Sequence, residues 1–423
     1  MVGEKKNAYK LIPSQTNILK DQLNYLSEPR YNVGIGIGLQ NRKINYKLFY
    51  DIVENIISEN DALRIRIYNE SHRAIQEFRN KKDITYNIDF IDLSTENDAN
   101  TKALDYMKLR YRTVINPFDN NLFEFCLIKV SDVYNYIFIK FHHIIVDGRS
   151  CILICDQILK SCFGIPTESN KQIYKFSEYI QKWNIYENSL AFQQDQDYWR
   201  RKFSSYLSQP ILSGFNLKYK VSMEKNVSIS KDRCAKIYDF CMKNNCTLSH
   251  FFLAVISFSL VDLFEIENLT IGISVLNRRN SKEKNTVGLF DNILAIKLDN
   301  ISLSNERLLE QISSELVESY RHSMYPFSLL EKWYKEKFGL SAGLFSVVVS
   351  YIKIEKSENE LFDVIKLSHR HEFTPLGITI RDMENDDIQI DFDYREEVFN
   401  GNHSMDVFVD RLLTNIDNFI KYK

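Results

Sequence analysis

The sequence is poor in residues that interrupt regular structure: it has 13 glycines and 7 prolines among 423 residues. No low-complexity segment, long block of like charge or short repeat occurs, so a repeat architecture is not indicated. Ile, Asn, Lys, Tyr and Phe are abundant instead. We interpret this bias as a property of an AT-rich coding sequence, and it carries no argument about function.

A strong net charge is also missing. The formal net charge is −2, which gives no reason to expect attraction to nucleic acid or to a membrane surface. The seven cysteines form no CxxC pair. Cys151 and Cys155 lie one helical turn apart in an apolar segment, which favours buried thiols over a metal clip. We therefore expect a reducing, cytoplasmic environment.

No segment has the length and composition of a membrane span. The first residues contain no apolar run of the kind that a secretory signal needs. The longest apolar stretch, residues 251–264, is interrupted by Ser257, Ser259 and Asp262 and is too short to cross a bilayer. It predicts a buried core helix, for which Thr247 is a plausible N-cap.

The length suits two domains better than one core. Strand and helix patterns alternate in both halves, which predicts an α/β fold of the α+β sandwich type, with one domain at residues 1–175 and another at 176–423. The stretch 170–203 is polar and aromatic and is interpreted as the link between the halves.

The most informative segment is His142-His143-Ile144-Ile145-Val146-Asp147-Gly148, an HHxxxDG motif. It follows an apolar strand and precedes a predicted helix that Ser150 can cap, so His143 is expected on a fixed support. An imidazole suits proton transfer near neutral pH. Acyl transfer from a thioester needs such a group, either to take the proton from the nucleophile or to hold the nucleophile in line. No GxSxG elbow occurs, which weakens a serine-hydrolase interpretation.

The motif defines the candidate catalytic residues His143, His142, Asp147 and Gly148. Asp147 could orient His143, or it could hold the loop by pairing with an arginine; we favour the second, because a buried carboxylate needs a charged partner. Gly148 permits an unusual backbone and leaves room for a substrate. The two histidines are neighbours on a strand and point to opposite faces, so no metal site is expected.

Two arginines are candidates for the partner of Asp147, namely Arg64 and Arg278. The choice between them is left open by the sequence.

The motif and its surroundings resemble the condensation domain of non-ribosomal peptide synthetases, within the HHxxxDG acyltransferase superfamily. The resemblance extends along essentially the whole chain. It rests on the motif and on these further segments: Leu11-Ile12-Pro13-Ser14-Gln15, Ala62-Leu63-Arg64, Tyr198-Trp199, Gly272 to Arg278, Val287-Gly288-Leu289-Phe290-Asp291-Asn292, Tyr325-Pro326-Phe327 with Leu330, and Leu344 to Tyr351.

Three positions depart from the family pattern. Asn60 stands where the family has the His of its R-H-E segment, Arg149 stands where Trp commonly follows Asp-Gly, and Asp291 replaces the Val of the F-V-N segment. These departures put the identity of the substrate in doubt more than the chemistry.

The resemblance implies two chloramphenicol-acetyltransferase-like lobes in a V-shaped pseudo-dimer with a tunnel between them, the second lobe carrying floor-loop and latch-type segments. It implies that His143 is the catalytic histidine, that Asp147 is a structural carboxylate and that Arg278 is its possible partner. Arg149, Asn292 and Ser350 are the candidate substrate-binding residues.

The predicted function is that of a free-standing condensation enzyme of non-ribosomal peptide or related natural-product biosynthesis. It would transfer an acyl or peptidyl group from the phosphopantetheine thioester of a carrier protein to an amine or hydroxyl acceptor. Two alternatives stay open: an acyl-CoA-dependent O- or N-acyltransferase of lipid or polyketide metabolism, and a non-catalytic module that docks carrier proteins. We expect a monomer with no bound cofactor, no metal and no nucleic-acid partner.

The segment 33–39 contains glycines at positions 34, 36 and 38. Their spacing does not fit a dinucleotide-binding fingerprint. In a strand they share one face, which favours close backbone packing over an open wall of the tunnel.

Overall fold

The structure is a computed structural model. It describes residues 7–40, 44–70, 73–119, 121–165, 174–205, 221–301, 304–341, 343–353, 362–371, 374–383 and 387–421.

Helices and strands are interleaved along these residues, as the sequence predicts, with some runs of one kind. The helices are α1 Pro13–Asn24, α2 Tyr46–Glu59, α3 Ala99–Tyr111, α4 Gly148–Cys162, α5 Phe176–Glu187, α6 Leu190–Lys202, α7 Lys231–Lys243, α8 Leu248–Phe264, α9 Ser281–Lys284, α10 Asn305–Arg321, α11 Phe327–Phe338 and α12 Met405–Lys421. The strands are β1 Ala8–Lys10, β2 Asn32–Gln40, β3 Ile65–Glu70, β4 Arg73–Phe78, β5 Asp89–Asp92, β6 Phe123–Lys129, β7 Tyr134–His142, β8 Met223–Ile229, β9 Leu269–Val275, β10 Asn292–Leu298, β11 Val347–Lys353, β12 Phe362–Ile365, β13 Leu376–Asp382 and β14 Ile388–Tyr394.

The chain forms two compact units that differ from a simple division into halves. The first unit holds residues 1–189 together with 276–291 and 358–369; the second holds 190–275, 292–357 and 370–423. Two segments from the second half of the sequence therefore belong to the first unit. The boundary at 175/176, which follows from the sequence pattern, assigns both of these segments to the second domain.

The first unit is built on a five-stranded sheet with the order β12-β2-β7-β6-β5, beside a three-stranded sheet with the order β1-β4-β3. The central pair, β2 and β7, is antiparallel and sets Asn32 opposite His142. The opposite edge of β2 is covered by β12, whose Ile365 pairs with Gly36. Strand β7 thus reaches its end, where the HHxxxDG motif begins, as an interior strand of the sheet.

The glycines of β2 are packed closely. A Cβ atom at Gly36 would lie 2.9 Å from Met107 Sδ on α3 and 3.0 Å from Ile365 Cβ on β12, and one at Gly34 would overlap the Ile139 carbonyl on β7. These contacts confirm close packing as the reason for Gly34 and Gly36, because a side chain at either position would overlap its neighbours.

The second unit is built on a six-stranded sheet with the order β10-β9-β11-β13-β14-β8. Helix α8 is the core helix that the sequence predicts: it begins after Thr247, whose side chain accepts a hydrogen bond from the His250 N–H, and most of its residues are buried. It packs against α10 and α12. In the part of the chain that the structure describes, no single helix has the length and apolarity of a membrane span. Helices α7 and α8 reach that length and apolarity only when taken together, and the chain bends by 106° between them.

The polar and aromatic stretch that the sequence suggests as a link is mostly helical. It forms α5 and α6, and the buried face of α5 carries Phe176, Tyr179, Ile180, Trp183 and Tyr186. These residues recur at helical spacing, so the stretch is an amphipathic helix with an aromatic face. The sequence pattern also predicts a strand from about Lys218 to Val227. Residues 218–220 lie outside the described residues, and β8 begins at Met223.

Candidate active site

The HHxxxDG motif lies between β7 and α4, as the sequence predicts, and backbone hydrogen bonds fix both histidines. The His142 N–H donates to the Leu122 carbonyl over 2.9 Å, and the His143 N–H donates to the Tyr31 carbonyl over 2.7 Å. One residue further, the Ile144 carbonyl accepts a bond of 3.1 Å from the Gln15 side chain. The start of the loop is therefore held from three sides.

Gln15 is itself held by a second buried glutamine. Gln15 and Gln76 are both 0% exposed, and their side-chain amides exchange hydrogen bonds of 2.9 Å and 2.8 Å. The segment around Gln15 contributed to the family resemblance. The structure gives the physical reason: this amide supports the carbonyl next to His143.

His142 and His143 have opposite environments, as the sequence predicts, although β7 ends at His142 and His143 is the first residue of the following turn. His142 is 0% exposed, its ring stacks on Tyr31, and its Nδ1 accepts a hydrogen bond of 3.1 Å from the Ile144 N–H. Burial, with a smaller contribution from His143, lowers the pKa of His142 to about 3. His142 therefore stays neutral at physiological pH and supports the loop, whereas the side chain of His143 is 23% exposed.

The orientation of the His143 ring follows from one contact. Nδ1 lies 2.8 Å from the Val146 carbonyl oxygen. Because a carbonyl can only accept, Nδ1 must carry the hydrogen. In the neutral imidazole, Nε2 then carries the lone pair, and this is the nitrogen that can accept a proton from a substrate.

The side chain of Asp147 is buried and accepts four hydrogen bonds from the described residues. Its Oδ1 accepts from the Ser150 N–H at 2.8 Å, which caps α4, and its Oδ2 accepts from the Phe290 N–H at 3.0 Å. The Arg278 guanidinium donates to both oxygens, at 2.6 Å and 3.1 Å. Both side chains of this ion pair are 1% exposed, so the pair is fully desolvated and both Asp147 oxygens are used in holding the loop.

Arg64 has a different role from the one considered for it. Its guanidinium donates to the carbonyls of Ile57, Ser58 and Arg79 over 2.6 to 3.0 Å. It therefore ties the end of α2 to the neighbouring strands, and Arg278 alone of the two candidates contacts Asp147. Asp61, beside it, accepts from the N–H groups of Phe176 and Ser177 and so stabilises the start of α5.

Ser150 and Gly288 join the motif to segment 276–291. The Ser150 hydroxyl donates to the Gly288 carbonyl at 2.7 Å and accepts from its N–H at 2.9 Å; it also accepts from Arg278 at 2.8 Å. A Cβ at Gly288 would overlap the Phe176 ring. The glycine is thus required where the two segments meet, a contact that no local pattern predicts.

Gly148 and Arg149 begin α4. Gly148 is exposed, and a Cβ built on it would have nothing within 4 Å. Its φ is not positive, so the open space beside the motif, and not backbone freedom, is what this glycine provides. Arg149 is half-buried in the first helical turn; its assignment to substrate binding stays a prediction.

Asp291 lies beside the exposed face of His143. Its Oδ2 is 3.6 Å from His143 Nε2, and its side chain is 28% exposed. Desolvation raises the pKa of Asp291 to about 6; the charge of Asp147 acts in the same direction, and those of His143 and Arg278 oppose it. In the sequence, this position stands out only as a departure from the family pattern.

The raised pKa predicts a pH-dependent stability. The pKa of the Asp291 carboxyl is higher in the folded protein than in the unfolded chain, so protonation favours the folded state. This contribution to the free energy of unfolding is complete below about pH 4 and is lost as the pH rises through about 6. We expect D291N, which does not titrate, to gain about 1 kcal/mol over the wild type between pH 4.5 and 7.5, after allowance for solvent screening.

Denaturant unfolding at a series of pH values measures this difference. D156N is the matched control, because Asp156 is an exposed carboxylate of α4 paired with Lys160. A D291N-minus-wild-type difference that does not change with pH would contradict the assignment.

Asn292 and Ser350 belong to the second unit. The Asn292 side chain is 9% exposed; its Nδ2 donates to the Ser323 and Tyr325 carbonyls at 2.9 Å and 2.8 Å, and its Oδ1 accepts from the Phe327 N–H at 3.0 Å. The amide is thus used to hold the turn before α11. Ser350 is half-buried on β11. A role in substrate binding stays a prediction for both.

Replacing Asn292 by alanine is expected to lower the free energy of unfolding by about 2 to 4 kcal/mol, because two carbonyls and one N–H lose their partner. Denaturant unfolding gives the change, and hydrogen exchange at Phe327 locates it. The control is N244A in the same unit, which removes an exposed amide with a single bond to the Phe240 carbonyl. An equal effect of the two substitutions would argue against a structural role for Asn292.

No group of three His, Cys, Asp or Glu side chains among the described residues could hold a metal ion. The seven cysteines are free; Cys151 is buried and Cys155 is half-buried.

The sequence profile of the Condensation domain family matches residues 5–422. Among curated proteins, surfactin synthase subunit 1 of Bacillus subtilis is 22% identical over 411 residues, which cover 92% of this chain and 11% of the relative. Tyrocidine synthase 3 of Brevibacillus parabrevis is 24% identical over 352 residues, which cover 79% of this chain and 5% of the relative. The chain thus spans a small part of the curated relatives it matches.

Solved structures show the same fold. The starter condensation domain of the rhizomide synthetase RzmA, in a mutant form bound to C8-CoA, aligns with a TM-score of 0.84 at 18% identity, covering 98% of this chain and 95% of that one. The first condensation domain of the calcium-dependent antibiotic synthetase, with a substrate analogue, aligns with a TM-score of 0.82 at 15% identity, covering 99% and 97%. The fold is therefore the mixed α/β, chloramphenicol-acetyltransferase-like fold that the resemblance implies, and the chain belongs to the Condensation domain family.

Proposed function

We propose that this protein transfers an acyl or peptidyl group from the phosphopantetheine thioester of a carrier protein to an acceptor amine, forming an amide bond. The observation that carries the proposal is the His143 ring, whose Nδ1–H is held by the Val146 carbonyl and whose Nε2 is left for the substrate. Membership of the condensation family supports the class of reaction.

In this reaction the acceptor nitrogen attacks the thioester carbonyl carbon. The C–N bond forms, and the carbonyl electrons move onto oxygen to give a tetrahedral intermediate. His143 Nε2 takes the proton that the nitrogen loses. When the intermediate collapses, the C–S bond breaks, and the proton passes from Nε2 to the departing thiolate, which leaves as the pantetheine thiol.

The other motif residues keep this ring in place. Asp147 and Arg278 pin the start of α4 to segment 276–291, and neutral His142 accepts the Ile144 N–H. Because the loop is fixed before substrate binds, little reorganisation remains when the nucleophile attacks. His143 could alternatively orient the acceptor without holding its proton, and the pH dependence of a slow substrate distinguishes the two roles.

A second donor chemistry has specific support. One structure of similar fold is a complex with C8-CoA, and an acyl-CoA presents the same thioester and pantetheine arm as a loaded carrier protein. Transfer from acyl-CoA is therefore the alternative to test directly beside the carrier.

The test is intact-protein mass spectrometry of acyl-loaded carrier proteins, and of acyl-CoA in parallel, with a panel of amines and alcohols. Loss of the acyl mass with one acceptor, and only when the enzyme is present, identifies donor and acceptor together. Transfer from CoA alone would replace the carrier-dependent proposal. Binding of loaded carriers without transfer to any acceptor would favour a docking module instead.

A further inference from the structure

Asp291 places a second hydrogen-bond acceptor beside the proposed base. Its carboxylate oxygen Oδ2 lies 3.6 Å from His143 Nε2, and both side chains are partly open to solvent, at 28% and 23%. Both residues lie in the first unit. Within the described part of the chain, His143 is the one basic side chain at ion-pair distance from Asp291.

The buried charges near Asp291 have little net effect on its carboxylate. Asp147 and Arg278 neutralise each other in a bidentate pair, so their combined charge at Asp291 is small. The titratable groups that act on the Asp291 carboxyl are His143, Asp147 and Arg278. Desolvation raises the pKa of Asp291 to about 6, so the group is predominantly a carboxylate above pH 7.

The two acceptors call for a particular partner. Nδ1–H of His143 is already used by the Val146 carbonyl, so the neutral ring offers only a lone pair at Nε2. A lone pair and a carboxylate oxygen 3.6 Å apart repel each other unless a donor lies against both. An ammonium group has enough N–H bonds to donate to the two acceptors together, whereas a hydroxyl has a single hydrogen and satisfies one of them.

We propose that Asp291 selects a primary amine as the acceptor by binding it as an ammonium ion, with one N–H directed to the Asp291 carboxylate and another to His143 Nε2. This inference rests on the proposed function and names the residue that distinguishes an amine from a hydroxyl acceptor at the same site. The ammonium gives one proton to Nε2 and becomes the nucleophile.

Every proton in this reaction has a destination. After the nitrogen attacks the thioester, the imidazolium returns its proton to the departing thiolate. The second proton that the nitrogen loses as the amide forms passes to the Asp291 carboxylate and from there to solvent. An ammonium and a thioester thus give an amide, a thiol and one released proton.

The experiment uses two acceptor probes that differ in one group: an aminoacyl thioester of N-acetylcysteamine and the 2-hydroxyacyl thioester with the same side chain. The variants are D291V and D291N, with D156N as the control carboxylate on the exposed side of α4. We expect D291V to raise KM for the amine about 10- to 100-fold, the effect of losing a charge-assisted hydrogen bond. The KM for the alcohol should change less than about threefold, because a hydroxyl can still donate to Nε2.

The pH profile gives a readout that loss of structure would not produce. In the wild type, the ratio of kcat/KM for the amine to kcat/KM for the alcohol should rise with pH through about 6, where Asp291 ionises, because any pH effect that the two acceptors share cancels in this ratio. This rise should be missing in D291V and retained in D156N. An equal loss for both acceptors, or no loss in D291V, would overturn the proposal.

Binding without a donor separates this proposal from the proposed function. Calorimetry of the two probes with the wild type should show tighter binding of the amine, and D291V should abolish the difference. If no acyl transfer occurs but this selectivity is present, the proposed function fails and the ammonium site stands. If the wild type binds both probes equally, the ammonium site is refuted whatever the turnover.

Discussion

Replacing His143 by alanine is expected to reduce the rate of acyl transfer by about 100-fold or more, the usual effect of removing a general base. No other group in the motif can take its place. His142 is buried and neutral, and both oxygens of Asp147 are bound by Arg278. Single-turnover transfer from a loaded carrier to the acceptor measures the effect on chemistry apart from product release.

The fold should survive this substitution, because the side chain of His143 is partly exposed and its one hydrogen bond is made within the loop. H403A is the matched control, since it removes an exposed histidine of the second unit. Equal unfolding midpoints for H143A, H403A and wild type, with transfer lost in H143A alone, would establish the chemical role. Full transfer in a folded H143A protein would exclude it.

Breaking the Asp147–Arg278 pair should have the largest effect on stability. D147A leaves a guanidinium in a site where both side chains are 1% exposed, and it also removes the acceptor for the Ser150 and Phe290 N–H groups. Loss of one partner from a buried ion pair costs about 3 to 5 kcal/mol. We expect transfer to fall as well, because the loop that carries His143 loses its anchor.

A double-mutant cycle separates the pair from its surroundings. R278A and D147A should each be severely destabilised, and the double variant should be less destabilised than the sum of the two, because it leaves neither charge uncompensated. D417A is the control: Arg233 and Asp417 also form a bidentate pair, but their side chains are 33% and 35% exposed. That pair should contribute no more than about 1 kcal/mol. A D147A protein of unchanged stability that lacks activity would indicate that Asp147 acts directly in the chemistry.

Local sequence pattern predicted the parts of the site that depend on neighbouring residues. The strand that ends at His142, the helix after it and the opposite environments of the two histidines were predicted from periodicity. The predicted cap was wrong: Asp147, and not Ser150, is the N-cap of α4. Partners that are distant in the sequence were harder to predict. Two arginines satisfied the charge argument for Asp147. The family resemblance implied Arg278, and the structure shows that Arg278 contacts Asp147 whereas Arg64 binds backbone carbonyls.

The remaining features depend on contacts across long stretches of sequence. The amphipathic face of α5 was not recognised, because its aromatic residues are mixed with polar ones. The pairing of β12 with β2 could not be predicted, since period-2 patterns show a strand but not its partner. Asp291 stood out only as an unusual residue in a familiar segment, and its meaning came from its distance to His143.

The first unit includes two segments from the second half of the sequence, and this affects the order in which the protein can fold during synthesis. Arg278 follows Asp147 by 131 positions, and β12, which covers the edge of β2, is completed only at Ile365. A nascent chain that ends soon after the HHxxxDG segment therefore lacks the arginine that pairs with Asp147 in the folded protein. Its glycine-rich strand β2 also has one unpaired edge, which is prone to pairing with other chains. We infer that the first unit matures late, after most of the second has been translated, so that fragments ending before residue 365 should aggregate even though they contain the whole motif.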